Sequence, residues 1–286
     1  MASMLLAGPH RQQTSIAFHS KPETLLSELW ITKNFGESFE KVHEYVESFY
    51  WIGGTASGAS DDIKLAVQRV EPSGVSTVLV SSSMFESPHD AKVLIKDVEE
   101  FQVKGDYMFA TRRVDAKNLD LYVSYKHGEF VRAQFMSELD RREFYVADVY
   151  DSQVFMVVGH TDTVSNLYIA QMSDGSSINF ALSLERIFCF FPNSTWRYTW
   201  LNNVADETFA DFHKVQGLHG IYIASQVSLS AENHTITPQH LTSVISYDSG
   251  GEWHLLTPPT HDSLGRRIIC NVVSVIEYSM LIFSLN

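Results

Sequence analysis

SYDSGGEW, residues 246–253, decides how this chain is read. Two of its 15 glycines and one of its five tryptophans fall within these eight positions. The apolar run TSVIS precedes the octet and WHLL closes it, so a hairpin turn between two strands is expected. Asp248 is placed to accept hydrogen bonds from backbone N–H groups of the turn, and Ser246 to bond back into it. Gly250 can take positive φ without a Cβ clash. Trp253 brings a large apolar surface that locks the hairpin against its neighbours. The pattern is S-x-D-x-G-x-x-W.

The same pattern recurs in worn form. TKNFGESF (32–39) follows ELWI and offers Thr32, Asn34, Gly36 and Phe39 in the places of Ser246, Asp248, Gly250 and Trp253. SYKHG (124–128) keeps the serine and the glycine but puts Lys126 where the acid belongs. AQMSDG (170–175) is a further decayed copy after NLYI.

Around these turns the chain is a series of short β-type runs rich in Val, Ile, Tyr, Phe and Thr. ELWIT (28–32), STVLVSS (76–82), DYMFATR (106–112), LDLYVSY (119–125), EFVRAQF (129–135), EFYVADV (143–149), QVFMVVG (153–159), NLYIAQM (166–172), INFALSL (178–184), GIYIASQV (220–227) and TSVISY (242–247) read as strands. HDAKVLIKDVEEF (89–101) is ambiguous between helix and strand. Phe109 and Phe155 lie 46 residues apart, as do Leu121 and Leu167, Tyr122 and Tyr168, and Val123 and Ile169. Leu29 precedes Leu121 by 92, twice that interval. A β-rich period near 46 is the signature of propeller blades. The expectation is an all-β, partial β-propeller of about five four-stranded blades over residues 26–271. A loose leader, 1–25, precedes it, and a divergent apolar tail, 272–286, follows.

Composition excludes several function classes. The chain is 44% hydrophobic and 19% charged, enough to bury a core. Its net charge of −13 argues against nucleic acid, which requires a basic face. The acidity either favours basic peptides or serves solubility. No apolar run reaches the length of a membrane span. MASMLLAG has too short an apolar core and no basic leader for a signal peptide. Sequons stand at Asn193 (NST) and Asn233 (NHT).

The octet is the Asp box, known from sialidases, some glycosidases and VPS10-domain receptors. NLYIAQMSDG with INFALSLERIF, FADFHKVQGLHGIYIASQV and SVISYDSGGEWHLLTPPTHD resemble consecutive blades of a sortilin-family VPS10 domain. SELDRREFYVADVYDSQVFMVV and NLDLYVSYKHGEFVRAQF resemble the blades before them. The resemblance runs in order from about residue 26 to 271. It implies part of a ten-bladed propeller in a type I membrane receptor of Golgi, endosome and cell surface. This part would be luminal or extracellular and would bind peptides or proteins for sorting. Both sequons then become luminal glycosylation sites. The resemblance also implies that the C-terminal half of the propeller, the cysteine-rich modules, the membrane helix and the sorting tail lie outside this chain. Half a ring would expose blade faces and strand edges, inviting self-association.

By the same resemblance, the arginine that captures peptide carboxylates in sortilin-type tunnels falls at Leu182, so that capture is lost. The aromatic positions fall at Tyr168 and Tyr222, which either line a ligand surface or pack the blades. Arg186 is close to the arginine position but out of its register. Strand addition of an extended peptide to a blade edge is the alternative ligand mode. Cys270 matches a family cysteine whose partner lies downstream; a Cys189–Cys270 disulfide is a second possibility.

The rival readings are an Asp-box glycosidase of sialidase type and a soluble decoy of the receptor. A sialidase needs an arginine triad, and the eleven arginines cluster instead as RR pairs at 112–113, 141–142 and 266–267. No catalytic residue is assigned. D-x-H-x5-H at Asp211, His213 and His219 lacks a metal-site spacing, so neither metal nor cofactor is expected. The glycines of WIGGTASGAS (51–60) read as a linker.

Overall fold

A computed structural model describes residues 3–7, 15–21, 26–53, 63–87, 89–171, 176–229, 236–257, 261 and 264–267, with side chains from Ser27 onward. The chain divides into two compact units, Met1–Arg113 with Asp120–Arg132, and Val114–Leu119 with Ala133–Asn286.

The first unit holds three four-stranded sheets, each a meander. The first is β1 (Ser3–Ala7), β2 (Ser15–Lys21), β3 (Leu26–Thr32) and β4 (Glu40–Glu44). The second is β5 (Val46–Ile52), β6 (Lys64–Val70), β7 (Ser76–Ser81) and β8 (Lys92–Lys96). The third is β9 (Phe101–Lys104), β10 (Tyr107–Arg113), β11 (Leu119–Tyr125) and β12 (Val131–Arg132). In the second unit, β13 (Gln134–Phe135) adds in parallel to the edge of a fourth meander: β14 (Glu143–Tyr150), β15 (Gln153–Gly159), β16 (Ser165–Gln171) and β17 (Asn179–Leu184). A small ribbon of β18 (Cys189–Phe190) and β19 (Phe209–Ala210) comes next. The fifth meander is β20 (Phe212–Lys214), β21 (Tyr222–Val227), β22 (Leu241–Ser246) and β23 (His254–Leu255).

Consecutive sheets within each unit share a core, and this makes them blades. Leu29 and Ile31 of the first blade pack with Val46, Leu65 and Val67 of the second. Ala66, Val78 and Val80 pack with Phe101, Met108 and Ala110 of the third. Phe155, Val157 and Leu167 of the fourth pack with Phe212, Tyr222, Ala224 and Val244 of the fifth. A strand covered on both faces needs an unbroken apolar run, which explains QVFMVVG: all six residues from Val154 to Gly159 are buried. The fold is an all-β partial propeller of five blades among the described residues.

The 46-residue interval is the distance from blade three to blade four. Phe109 and Phe155 both lie on second strands, and Leu121 and Leu167 both lie on third strands. From blade four to blade five the interval stretches, because Ile187–Asp211 inserts the β18–β19 ribbon and a 3-10 turn at Trp200–Asn203. That insertion packs Phe188, Phe190, Trp196 and Leu201 with Val227 and Leu241 of the fifth blade.

Two sequence expectations are corrected. The stretch taken as a loose leader supplies β1 and β2, which pair in register from Ser3↔His19 to Ala7↔Ser15, with β2 then pairing β3. Each is short and without a clear period; β2 pairs both β1 and β3 and so completes the ladder. KVLIK in the ambiguous 89–101 segment is a strand, β8, because β7 offers it an edge. The tail 272–286, Cys270 and Asn233 lie outside the described residues.

Candidate functional site

Asp boxes occupy the turn after the third strand in the first, second and fifth blades. In the fifth blade Ser246 Oγ donates to Asp248 Oδ1 at 2.8 Å and accepts from Gly250 N at 2.8 Å. Asp248 Oδ1 also accepts from Gly251 N and Glu252 N, both at 3.0 Å. These backbone donors hold the Asp248 carboxyl below the usual carboxylate range, with Ser246 adding to them. In the first blade Thr32 Oγ1 donates to Asn34 Oδ1 at 3.0 Å and accepts from Gly36 N at 2.9 Å, and Ser38 N donates to Asn34 Oδ1 at 3.0 Å. An amide oxygen therefore takes the carboxylate's place for the hydroxyl and for the N–H four residues on, while Glu37 N, the counterpart of Gly251 N, donates to the Asn34 carbonyl at 3.3 Å. Phe39 keeps 40% of its surface exposed.

The second blade carries a box that the sequence pattern missed. Ser81 Oγ accepts from Phe85 N at 2.7 Å, while Asp90, nine residues on, closes the turn by accepting from Ser81 Oγ, Ser82 Oγ and Ser83 N. The acid comes from the far end of the loop, so no fixed-spacing search finds it; the signal was the serine at the end of an apolar strand. All three boxes put their fourth and fifth residues at positive φ: Phe35 and Gly36, Met84 and Phe85, Ser249 and Gly250. In the third blade Ser124 Oγ donates to Gly128 O at 2.7 Å. The turn of AQMSDG lies outside the described residues.

Tyr168 and Tyr222 are core residues, which corrects their assignment to a ligand surface. Tyr168 is 2% exposed, lies edge-on to Phe135, and donates its hydroxyl to His160 Nε2 at 3.1 Å. Tyr222 is fully buried, stacks on Phe212 at 5.0 Å, and points its hydroxyl toward Asp148 at 3.4 Å. Burial, then the Asp148 charge, pushes the Tyr222 phenol far above its ordinary value. Arg186 is a strut and no ligand clamp: its Nε and Nη2 donate to the carbonyls of Val227 and Ser228. Leu182 is 49% exposed.

Cys189 is a free, fully buried thiol, pushed well above the usual thiol range by burial and then by Glu143. His213 and His219 go to separate partners, Asp211 Oδ1 at 2.8 Å and the Tyr150 hydroxyl at 2.7 Å. Asn193 stands exposed at a turn.

What the blades offer a partner is strand edge. The last-strand edges of four sheets are guarded: β8 carries Lys92 and Lys96, β4 carries Glu40, Lys41 and Glu44, and β12 and β23 are two residues long. Charge and brevity both discourage strand addition. Among the first strands of the sheets, β5 and β14 are seven and eight residues long, against four in β9 and three in β20; β5 and β14 each end their sheet order, and both are rich in aromatics. An acid sits beside each. Glu47 of β5 and Glu100 keep exposed surface while protein atoms crowd their carboxyls; loss of water, then repulsion from neighbouring glutamates, raises both. On β14 a register shift between Val146 and Asp148 brings Asp148 to the Tyr222 hydroxyl.

Serial blades with Asp-box turns narrow the family, and a family model decides it. The model described as Sortilin, neurotensin receptor 3 (Sortilin-Vps10) matches residues 3–273. The chain belongs to the sortilin/VPS10 family. Among VPS10 relatives, it is 33% identical over 272 residues to the Sortilin-related receptor of Mus musculus and to that of Homo sapiens, covering 90% of this chain and 12% of each relative. It is 23% identical over 256 residues to Vacuolar protein sorting/targeting protein 10 of Debaryomyces hansenii, covering 88% of this chain and 15% of that one. The chain thus spans well under a fifth of the length of these sorting proteins. Among solved structures, the β-propeller domain of the trilobed protease from Pyrococcus furiosus aligns over 90% of this chain and 71% of its own at 14% identity, with a TM-score of 0.39. The VPS10 match begins at residue 3, so it takes in β1 and β2 along with the rest of the first blade.

Proposed function

We infer that this chain is ligand-binding propeller from a VPS10-type sorting receptor, carried on the luminal or extracellular side. It takes extended peptide segments of protein cargo by strand addition to the first-strand edges β5 and β14. The single observation behind this reading is that β5 and β14 are seven and eight residues long and rich in aromatics, whereas β12 and β23 are two residues long and β8 carries two lysines. The acids at those edges, Glu47, Glu100 and Asp148, and the net charge of −13 favour basic segments. Leu182 at the carboxylate-capturing position argues against binding by a peptide C-terminus. Trafficking among Golgi, endosome and surface follows from the family and is part of the proposal.

The enzyme reading has less support. Arg113, Arg132 and Arg142 pair with Glu99, Asp120 and Asp162 respectively, and Arg186 holds carbonyls. Each of these four arginines is held by carboxylates or carbonyls of this chain.

The test is hydrogen exchange on the full chain with and without a basic ten-residue peptide selected from an array. Slowed exchange confined to 46–52 or 143–150 is expected. Protection of the Asp-box turns instead, or array binding blind to peptide charge, would refute edge addition.

A further inference from the structure

We propose that Asn193 is an N-glycan acceptor usable only before the turn that carries it docks on Thr161 and Asp162 of the fourth blade, so that its glycan is attached to the growing chain and never to the folded protein. The inference rests on the luminal placement proposed above. Asn193 is exposed at the tip of a turn in which Ser194 N donates to Phe191 O at 3.1 Å and Phe191 N to Thr195 O at 3.1 Å. A glycan there projects into solvent and disturbs no packing. Its sequon partner is in the opposite situation. Thr195 has no exposed surface, and its hydroxyl donates to Thr161 O at 2.9 Å. Trp196 N donates to Asp162 O at 2.8 Å, and Trp196 is 1% exposed. The acceptor triplet is read through the hydroxyl two residues after the asparagine. In the folded blade that hydroxyl is spent on a backbone carbonyl inside the wall.

The chemistry needs a lipid-pyrophosphate-linked oligosaccharide as donor. Asn193 Nδ2 forms a bond to C1 of the first sugar, the C1–O bond to pyrophosphate breaks, and the amide proton leaves with the pyrophosphate. Nothing is oxidised or reduced. Thr161 and Asp162 are made before Thr195, so their carbonyls are already waiting when the sequon emerges. Transfer and docking of the turn therefore compete, and whatever delays docking raises occupancy.

The full chain is given a cleavable signal peptide and a C-terminal tag bearing a second, unstructured sequon, then expressed in secreting cells. The supplied signal separates this inference from the natural location of the chain. Glycopeptide mass spectrometry should find Asn193 occupied, in Thr195→Ser as well, and a glycosidase-sensitive gel shift should disappear in Asn193→Gln. Unglycosylated full chain, refolded and given oligosaccharyltransferase with lipid-linked donor, should stay unmodified at Asn193, while the same chain in its unfolded state is modified. An empty Asn193 beside an occupied tag overturns the proposal, and so does equal transfer to folded and unfolded chain.

Discussion

Gly250 sits at φ 87°, and a Cβ there would lie 3.1 Å from Ser183 Oγ and 3.2 Å from Phe155 Cε1, both in the preceding blade. Strain and overlap act together, so Gly250→Ala should cost roughly 1–3 kcal/mol, read as a lower urea midpoint. Asp248 calls for a different expectation, because Asn34 shows that a neutral amide oxygen accepts the box hydroxyl and the backbone N–H four residues on. Asp248→Asn should stay within about 0.5 kcal/mol of the parent, whereas Asp248→Ala, which leaves turn N–H groups without their acceptor, should lose about 1–2 kcal/mol. A loss as large in the Asn variant would mean that the charge matters more than the acceptor.

At the scale of the element, a box ties its own blade to the one before. Ser183 Oγ donates to Gly250 O at 2.5 Å and accepts from Trp253 Nε1 at 3.0 Å, and Gln153 Nε2 donates to Ser249 O. Phe85, in the second box, lies edge-on to His43 of β4 and packs with Met84 against the first blade's core. Two boxes with different acids thus lean the same way, each over its predecessor. Asp90 is what holds the second one shut. Asp90→Ala should open the 82–90 loop and let limited proteolysis cut there before anywhere else in blade two; Asp90→Asn should resist. Equal cutting of Asp90→Ala and parent would show that the loop is held by its backbone alone. The geometry of the turn at Ser246 was legible in the octet because its donors and acceptors are four residues apart. The Asp90 closure was not, because a loop of variable length sits between the partners.

At the scale of the molecule, acid acts through buried imidazoles. His160 is 1% exposed; its Nδ1 donates to Asp140 O and its Nε2 accepts from Tyr168. Burial depresses its pKa more than the Asp140 carbonyl raises it. Burial also lowers His43, with Arg69 adding to it. A depressed imidazole stays neutral in the fold while the unfolded one binds a proton near the ordinary value. The contribution is complete above about pH 6.5 and drains away as pH falls toward the folded value. His213 runs the other way: its hydrogen bond to Asp211 raises it against the effect of burial, so its contribution is present below about pH 6.5 and lost as pH rises through the raised value. Denaturation at about pH 7.5 and about pH 5.5 should show His160→Gln losing less stability on acidification than the parent. Equal slopes would remove His160 from the acid response.

Fold class, blade period and the two full-length boxes could be read from the sequence alone, because each rests on residues close together in the chain: alternating or continuous apolar runs, and a serine, an acid or amide, and a glycine at fixed steps. The first two strands, the displaced acid of the second box, and the burial of Tyr168 and Tyr222 were decided by tertiary structure. A short segment without a clear period becomes a strand when a neighbour offers it an edge, and an aromatic becomes core or surface according to which blade lies against it; neither partner is named by the residues nearby.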